Sequence, residues 1–383
     1  MRGIAIVGTG AIASEHIKAY LTFPEKCKIV ALCDIYPEKA EKLVKSYKLE
    51  AQIYQDIHEM LKREDIDLVS ICTPPFTHAE AAISSLNAGK HVLVEKPMAS
   101  SLEECDKMIE AAKRNQKLLS VVAQNRFRNS VMKLKQVLDS QLIGPIVHTQ
   151  VDSYWWRGLS YYDLWWRGTW EKEGGGCTLN HAVHHIDIYQ WLAGAPSEIM
   201  ASMSNTSHEN AEVEDLSIAI GRYPNGSMAQ ITSSVVHHGE EQQLIFQGKD
   251  ARVSVPWKVR ASKASENGFP VENKELEIKL QEIYDQFPTL SYEGHTGQID
   301  DVLNAIEEGR NPLVDGEQGR KTLEIITSIF QSASLKQTVV LPITKDSPFY
   351  TRDGMMKNAI RFYEKKKEIV NFNENTITTG GNY

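Results

Sequence analysis

Long apolar runs are missing. No stretch of the 383 residues approaches the ~18 consecutive apolar positions that a membrane span requires. The opening residues, MRGIAIVGTG, enter a buried-strand pattern with no secretory cleavage signature. Cysteine is sparse: Cys27, Cys33, Cys72, Cys105 and Cys177 are odd in number and form no CxxC, which speaks against a disulfide framework. A reduced, cytoplasmic chain with no membrane partner is expected. Positive charge is also short, with 42 Lys and Arg against 50 Asp and Glu and a net charge of -8. A nucleic-acid binder needs a basic face, so that class is disfavoured. The longest basic run, EKKKE at 364–368, is bracketed by acids and reads as a solvated helix face. There is no internal repeat and no low-complexity segment.

What is present is a rhythm that changes near residue 124. Before it, short β-branched runs at 3–8, 28–34, 67–73, 91–96 and 117–123 alternate with helical patterns at 11–22, 37–48, 76–88 and 101–115. Near-continuous apolar strands alternating with helices predict a doubly wound parallel sheet covered on both faces. Beyond it come an aromatic-rich stretch at 154–170 and alternating strand patterns such as EDLSIAIGRY and GSMAQITSS. These predict an α/β domain with an open, mainly antiparallel sheet. Helices at 294–309 and 316–336 are expected to pack back on that sheet. The organisation expected is therefore 1–124, 125–345 and a C-terminal 346–383, the last made of a helix over 346–370 and a frayed tail, FNENTITTGGNY.

The turn Gly8-Thr9-Gly10-Ala11-Ile12-Ala13 lies between the first strand and the first helix. Glycine at 8 and 10 permits a tight turn and lets backbone N–H groups approach a pyrophosphate at the helix N-terminus. The next strand ends in Asp34, 21 residues after Ala13. A carboxylate there accepts from a ribose and repels a 2′-phosphate, so NAD is expected as the cofactor rather than NADP. Ligands gather beyond the carboxyl ends of parallel strands. There CTPPFTHAE places Thr73, Pro74, Pro75 and His78, and HVLVEKPMAS places Glu95, Lys96 and Pro97, with Asn125 following in VVAQNRFR. Lys96 at a strand end reads either as a rim ion pair or as a cation beside a substrate hydroxyl.

GGGCTLNHAVHHIDIYQWLAG, 174–194, reads as a helix with Asn180, His184 and Asp187 on one face and His181 and His185 on the next. Three uses compete: a metal, a proton relay, or a structural helix. Zinc needs three or four converging ligands, and neither HExxH nor a cysteine pair is present, so no metal is expected. A histidine that removes a hydroxyl proton fits best. The preceding YYDLWWRGTWEKE offers Tyr162, Trp166 and Arg167 as a wall for a sugar or cyclitol.

GTGAIASEH, Asp34, CTPPFTHAE, VEKPMA, GGGCTLNHAVHHID and VDGEQGRKTLEII occur in the order of the Gfo/Idh/MocA oxidoreductases, which the chain resembles from about residue 1 to 340. The resemblance implies a Rossmann domain, a second α/β domain and a cleft between them, with subunits pairing into a homodimer or homotetramer. It implies Lys96 as the lysine of the E-K-P motif and His184 as the proton acceptor of a D-x-x-x-H pattern. Asn180 stands where that pattern has aspartate, so no negative charge is held beside the histidine. An NAD-dependent dehydrogenase acting on a polyol or sugar is the expected activity. A relative that keeps NAD and uses transient oxidation to cleave or epimerise a sugar, and a dinucleotide-binding sensor without catalysis, are the rival readings.

Overall fold

The computed structural model describes residues 1–370 and 372. Six strands, β1 Arg2–Val7, β2 Cys27–Cys33, β3 Gln52–Tyr54, β4 Leu68–Ile71, β5 His91–Val94 and β6 Leu119–Val121, alternate with α1 Ala13–Leu21, α2 Pro37–Tyr47, α3 Ile57–Leu61, α4 His78–Asn87 and α5 Leu102–Asn115. The sheet order is β3-β2-β1-β4-β5-β6 and all neighbours are parallel. The order reverses between β1 and β4, which opens a crevice at their carboxyl ends. β3 and α3 had no signal in the sequence reading, being three and five residues long, too short for a period to register.

The second half carries α6 Asn129–Asp139, β7 Ile146–Tyr154, α7 Cys177–Asn180, α8 Val183–Ala193, β8 Glu198–Ser204, β9 Leu216–Arg222, β10 Met228–Ser234, β11 Gln242–Gly248, β12 Ala251–Val255, β13 Lys258–Ala264, β14 Pro270–Glu272, α9 Lys274–Gln286, α10 Gly294–Glu308, α11 Gly316–Leu335, β15 Val339–Val340 and α12 Arg352–Asn358. Its nine strands run β14-β13-β12-β11-β7-β10-β9-β8-β15, antiparallel except for the β7–β10 pair. Even-numbered positions of β8, β9 and β10 share one face, where Met200, Ile218 and Met228 stand exposed.

Two late helices tie the halves together, and only one does so as expected. α11 packs on β8 and α8 but also on α5 and β6 of the first sheet. α10 does not return to the nine-stranded sheet. Its buried Ile299, Val302 and Leu303 join the core formed by Ile4, Ile6 and Ile17, because its apolar stripe matches the open face of α1. The helix expected over 346–370 is also corrected. Only Arg352–Asn358 is helical, and residues 360–369 carry no helix, with a bend at Tyr363 and a bridge at Ile369. All but Phe372 of FNENTITTGGNY falls outside the described residues, and so does the reading of it as a tail.

Candidate active site

At the end of β1 the chain turns through Gly8, whose φ is +87° and where a Cβ would lie 2.7 Å from the Cys72 carbonyl carbon. Only glycine fits both constraints. Gly10 faces open space, and with Ala11 and Ile12 it leads into α1, whose N-terminus has no side-chain cap. Ala13 N and Glu15 N donate to the carbonyls of Gly10 and Ile12, and no side chain caps the turn, which leaves the helix start open to the diphosphate that such a turn cradles. The neighbouring carboxylate is already oriented: Thr9 donates from both N and Oγ1 to Asp34 Oδ2 at 2.7 Å, and Tyr36 N donates to Oδ1 at 2.9 Å. The residues present fit a dinucleotide.

The loops after β4 and β5 are laced together by His78. Its ring is wholly buried, with Nδ1 and Nε2 each 2.8 Å from the carbonyls of Pro97 and Thr73. Burial pushes the imidazole below its ordinary range. His78 therefore acts on any ligand through the Thr73-Pro74-Pro75 and Lys96-Pro97 turns that it joins. Glu95 is buried beneath them, with Oε1 2.9 Å from His16 Nε2 and 3.6 Å from His295 Nε2. Its Oε2 accepts from Lys96 N at 3.1 Å. Burial alone would raise this carboxyl, but the two histidines hold it well below the usual range. Among the described residues His16, Glu95 and His295 are a group with metal-ligand spacing. Hydrogen-bond contacts to Glu95 and to Ser70 (Nδ1 to Oγ, 2.7 Å) occupy both nitrogens of His16.

Lys96, Asn125 and His184 line one cavity. Lys96 Nζ donates to the Asn180 carbonyl at 3.1 Å. Burial depresses the ammonium first and the Arg167 cation adds to this, against the opposing pull of Glu95 and Glu173. His184 is driven well below the imidazole range by burial and then by Lys96.

The segment carrying His184 is two helices, not the single one expected. α7 ends at Asn180, His181 and Ala182 make a break, and α8 begins at Val183. Glu214 anchors the start of α7, accepting from Gly176 N and Thr178 N at 3.0 Å each, and burial pushes its own carboxyl up to about 7. The Asn180 amide turns onto the glycine turn, donating to the carbonyls of Gly175 and Gly176. Asp187 does not orient His184; it is bound by Arg126.

The aromatic wall is organised around Arg167. Its guanidinium lies 4.2 Å from the ring centroids of both Tyr161 and Trp166 and donates to Glu173 at 2.9 Å. His181 packs against the Tyr161 and Trp155 rings. Arg167 Nε and His181 Nδ1 are buried with no hydrogen-bond partner among the described residues. Tyr162 is 1% exposed and packs on Tyr161 and His208, so its ring belongs to the core behind the wall.

Sequence reasoning passed over His16, Tyr161 and Glu173. Glu173 left one signal, an acid directly before three glycines. His16 left none, since an inward position on α1 looks like any other helical polar residue.

Residues 2–123 match the model of an oxidoreductase family with an NAD-binding Rossmann fold, and residues 135–341 match that family's C-terminal alpha/beta domain. Inositol 2-dehydrogenase of Salmonella paratyphi B is 34% identical over 188 residues, 49% of this chain and 53% of the relative. The chain thus spans about half the length of that relative. D-glucoside 3-dehydrogenase of Escherichia coli is 24% identical over 361 residues, 88% of this chain and 97% of the relative. The crystal structure of the WlbA dehydrogenase from Bordetella pertussis, in complex with NADH and UDP-GlcNAcA, superposes with a TM-score of 0.77 at 26% identity, covering 90% of this chain and 98% of that one.

Proposed function

The chain belongs to the Gfo/Idh/MocA oxidoreductase family, and from that premise we propose that it is an NAD-dependent dehydrogenase oxidising a secondary alcohol of a cyclitol, sugar or sugar derivative. The observation that carries the reading is the pairing of Lys96 and His184 on one cavity, next to a wall whose Arg167 Nε and His181 Nδ1 are buried with no hydrogen-bond partner among the described residues. A hydroxylated ligand supplies partners for both, and an unmet buried polar atom costs about 1–3 kcal/mol.

When bound, NAD supplies the nicotinamide ring that takes up hydride. Gly8, Thr9, Gly10 and the N-terminus of α1 hold the diphosphate, and Asp34 accepts from the adenosine ribose. The turns at Thr73-Pro74-Pro75 and Glu95-Lys96-Pro97, with Asn125, border the nicotinamide half. Lys96 holds its cation against the substrate hydroxyl and favours loss of its proton. His184, neutral near pH 7 because burial and Lys96 disfavour its charged form, accepts that proton. The Tyr161 and Trp166 faces and the Arg167 fork grip the ring from the side. The exposed face carrying Met200, Ile218 and Met228 suits pairing with a second copy, as a homodimer or homotetramer.

The test is incubation of the protein with NAD, and separately NADP, against inositols, hexoses and hexuronates while reduced-nicotinamide absorbance is followed. NADH formation with one compound supports the reading. No net NADH with NAD still retained on the protein points to an internal redox cycle instead, and no turnover from the whole panel with no bound NAD counts against it.

A further inference from the structure

The C-terminal segment lies beyond both family matches, the later of which ends at 341, and it is where the sequence expectation departed furthest from the structure. The basic run at 364–368 is solvated as expected but is not a helix: only Lys365 is half-buried, and hydrogen bonds tie the run to the aromatic wall. Lys365 Nζ donates to the Tyr162 carbonyl and Lys367 Nζ to Asp163, both at 2.5 Å, and the Asp163 side chain is only 6% exposed. Ile369 bridges the wall backbone like a short parallel strand, with Ile369 N to Asp163 O at 2.8 Å and Trp165 N to Ile369 O at 2.9 Å. Further back, Trp170 Nε1 donates to Ile360 O at 3.0 Å and Phe362 N to Glu212 O at 3.0 Å.

Asn210 is where these contacts meet. Its Oδ1 accepts from Lys366 N at 2.8 Å and Lys367 N at 2.9 Å. Its Nδ2 lies 2.9 Å from Lys367 O and 3.2 Å from both Tyr162 O and Asp163 Oδ1. One side chain thus staples the segment to the wall.

The wall needs such support. Between β7 and α7 its only regular element among the described residues is a turn at Leu159–Asp163. A loop of that kind samples many conformations unless its backbone is paired. The bridge falls at Leu164 and Trp165, directly before Trp166 and Arg167. Trp165 itself meets Phe76 of the nucleotide-side loop edge-on, with centroids 6.4 Å apart.

We propose that residues 360–369 form a clasp that fixes the aromatic wall, with Asn210 as its positioning residue, and that the clasp sets the affinity for the polyol while leaving cofactor binding alone. This rests on the wall being the substrate surface, the reading given above. None of the clasp residues is called on for chemistry; they act through the placement of Tyr161, Trp166 and Arg167.

The experiment compares four proteins: the full chain, a chain ending at Val370, a chain ending at Ile360, and Asn210→Ala. Hydrogen exchange is read in peptides covering 160–172, NADH affinity by fluorescence titration, and KM and kcat with the active polyol. In the Ile360 chain and in Asn210→Ala, exchange at 160–172 should quicken about tenfold, against no change in the Val370 chain. The polyol KM should rise about tenfold with kcat less affected, and NADH affinity should stay within about twofold. Asn210→Asp keeps the acceptor for Lys366 N and Lys367 N but sets a carboxylate oxygen against Tyr162 O, Lys367 O and Asp163 Oδ1, so it should raise the KM at least as much as Asn210→Ala. Unchanged exchange at 160–172 overturns the clasp, and so does quickened exchange with an unchanged polyol KM. If the shortened chain does not fold, Asn210→Ala decides alone. Should the full chain turn over no polyol, the dehydrogenase reading fails separately, and exchange measured without substrate decides the clasp.

Discussion

Arg126 and Asp187 meet as a two-pronged ion pair, Nε to Oδ2 at 2.7 Å and Nη2 to Oδ1 at 2.8 Å, with side-chain exposures of 0% and 7%. Thr322 Oγ1 donates to the same carboxylate at 2.9 Å. The pair joins the segment after β6 to α8 and α11, one turn of helix from His184. Removing the carboxylate strands a buried guanidinium, so Asp187→Ala should lower unfolding free energy by about 3–5 kcal/mol. Urea unfolding reads this; a loss below about 1 kcal/mol would mean that the site relaxes and rehydrates the arginine.

Lys96 and His184 should shape the pH profile of turnover from opposite sides. Burial lowers both groups. His184 must be neutral to accept a proton, so the acid limb should fall well below pH 6.5. Lys96 must be charged, so activity should decline on the alkaline side before the ordinary lysine range is reached. Lys96→Arg should abolish that alkaline limb, and Ala at either position should cut kcat about 100-fold. Turnover unchanged in both Ala variants would remove these residues from the mechanism.

Acid should unfold the protein earlier than its carboxylates alone would require. Burial is the first cause of the depression of His16, His78, His91, His181, His184 and His185, the last to about 3. Their folded pKa lies below the unfolded value, so the unfolded chain binds more protons. The associated stability is present above pH 6.5 and is lost as pH falls toward the folded values. Each contributes a slope of about 1.4 kcal/mol per pH unit where the two states differ by one proton. Urea midpoints at pH 7.5, 6.0 and 5.0 measure it; midpoints that stay flat to pH 5.0 contradict it.

Asp34 has two jobs, and its replacement should show both. It holds Thr9 of the turn after β1 and, on the proposed reading, stands where a 2′-phosphate would be repelled. Asp34→Ala should weaken NADH binding about tenfold and bring the NADH and NADPH affinities closer together. Fluorescence titration with each nucleotide checks this, and an unaltered preference between them would assign discrimination elsewhere.

Most of the parallel sheet, the phosphate turn with Asp34, and Lys96 at a strand end were legible in the chain, because each depends on local periodicity and on residue types at short spacing. β3, α3 and the break at His181 were not, since three to five residues carry no period and the carboxylate that anchors the start of α7, Glu214, lies in a distant segment. Charge was half a guide: the run at 364–368 is solvated as its sequence suggests, yet Lys365 and Lys367 also reach the Tyr162 carbonyl and the Asp163 carboxylate, some 200 positions away. Linear patterning determined the two sheets, the phosphate turn and the candidate chemistry. Which groups distant in sequence meet, Arg126 with Asp187 or Asn210 with Lys366 and Lys367, was decided only by tertiary packing, because polar atoms take partners by proximity in space rather than in chain order.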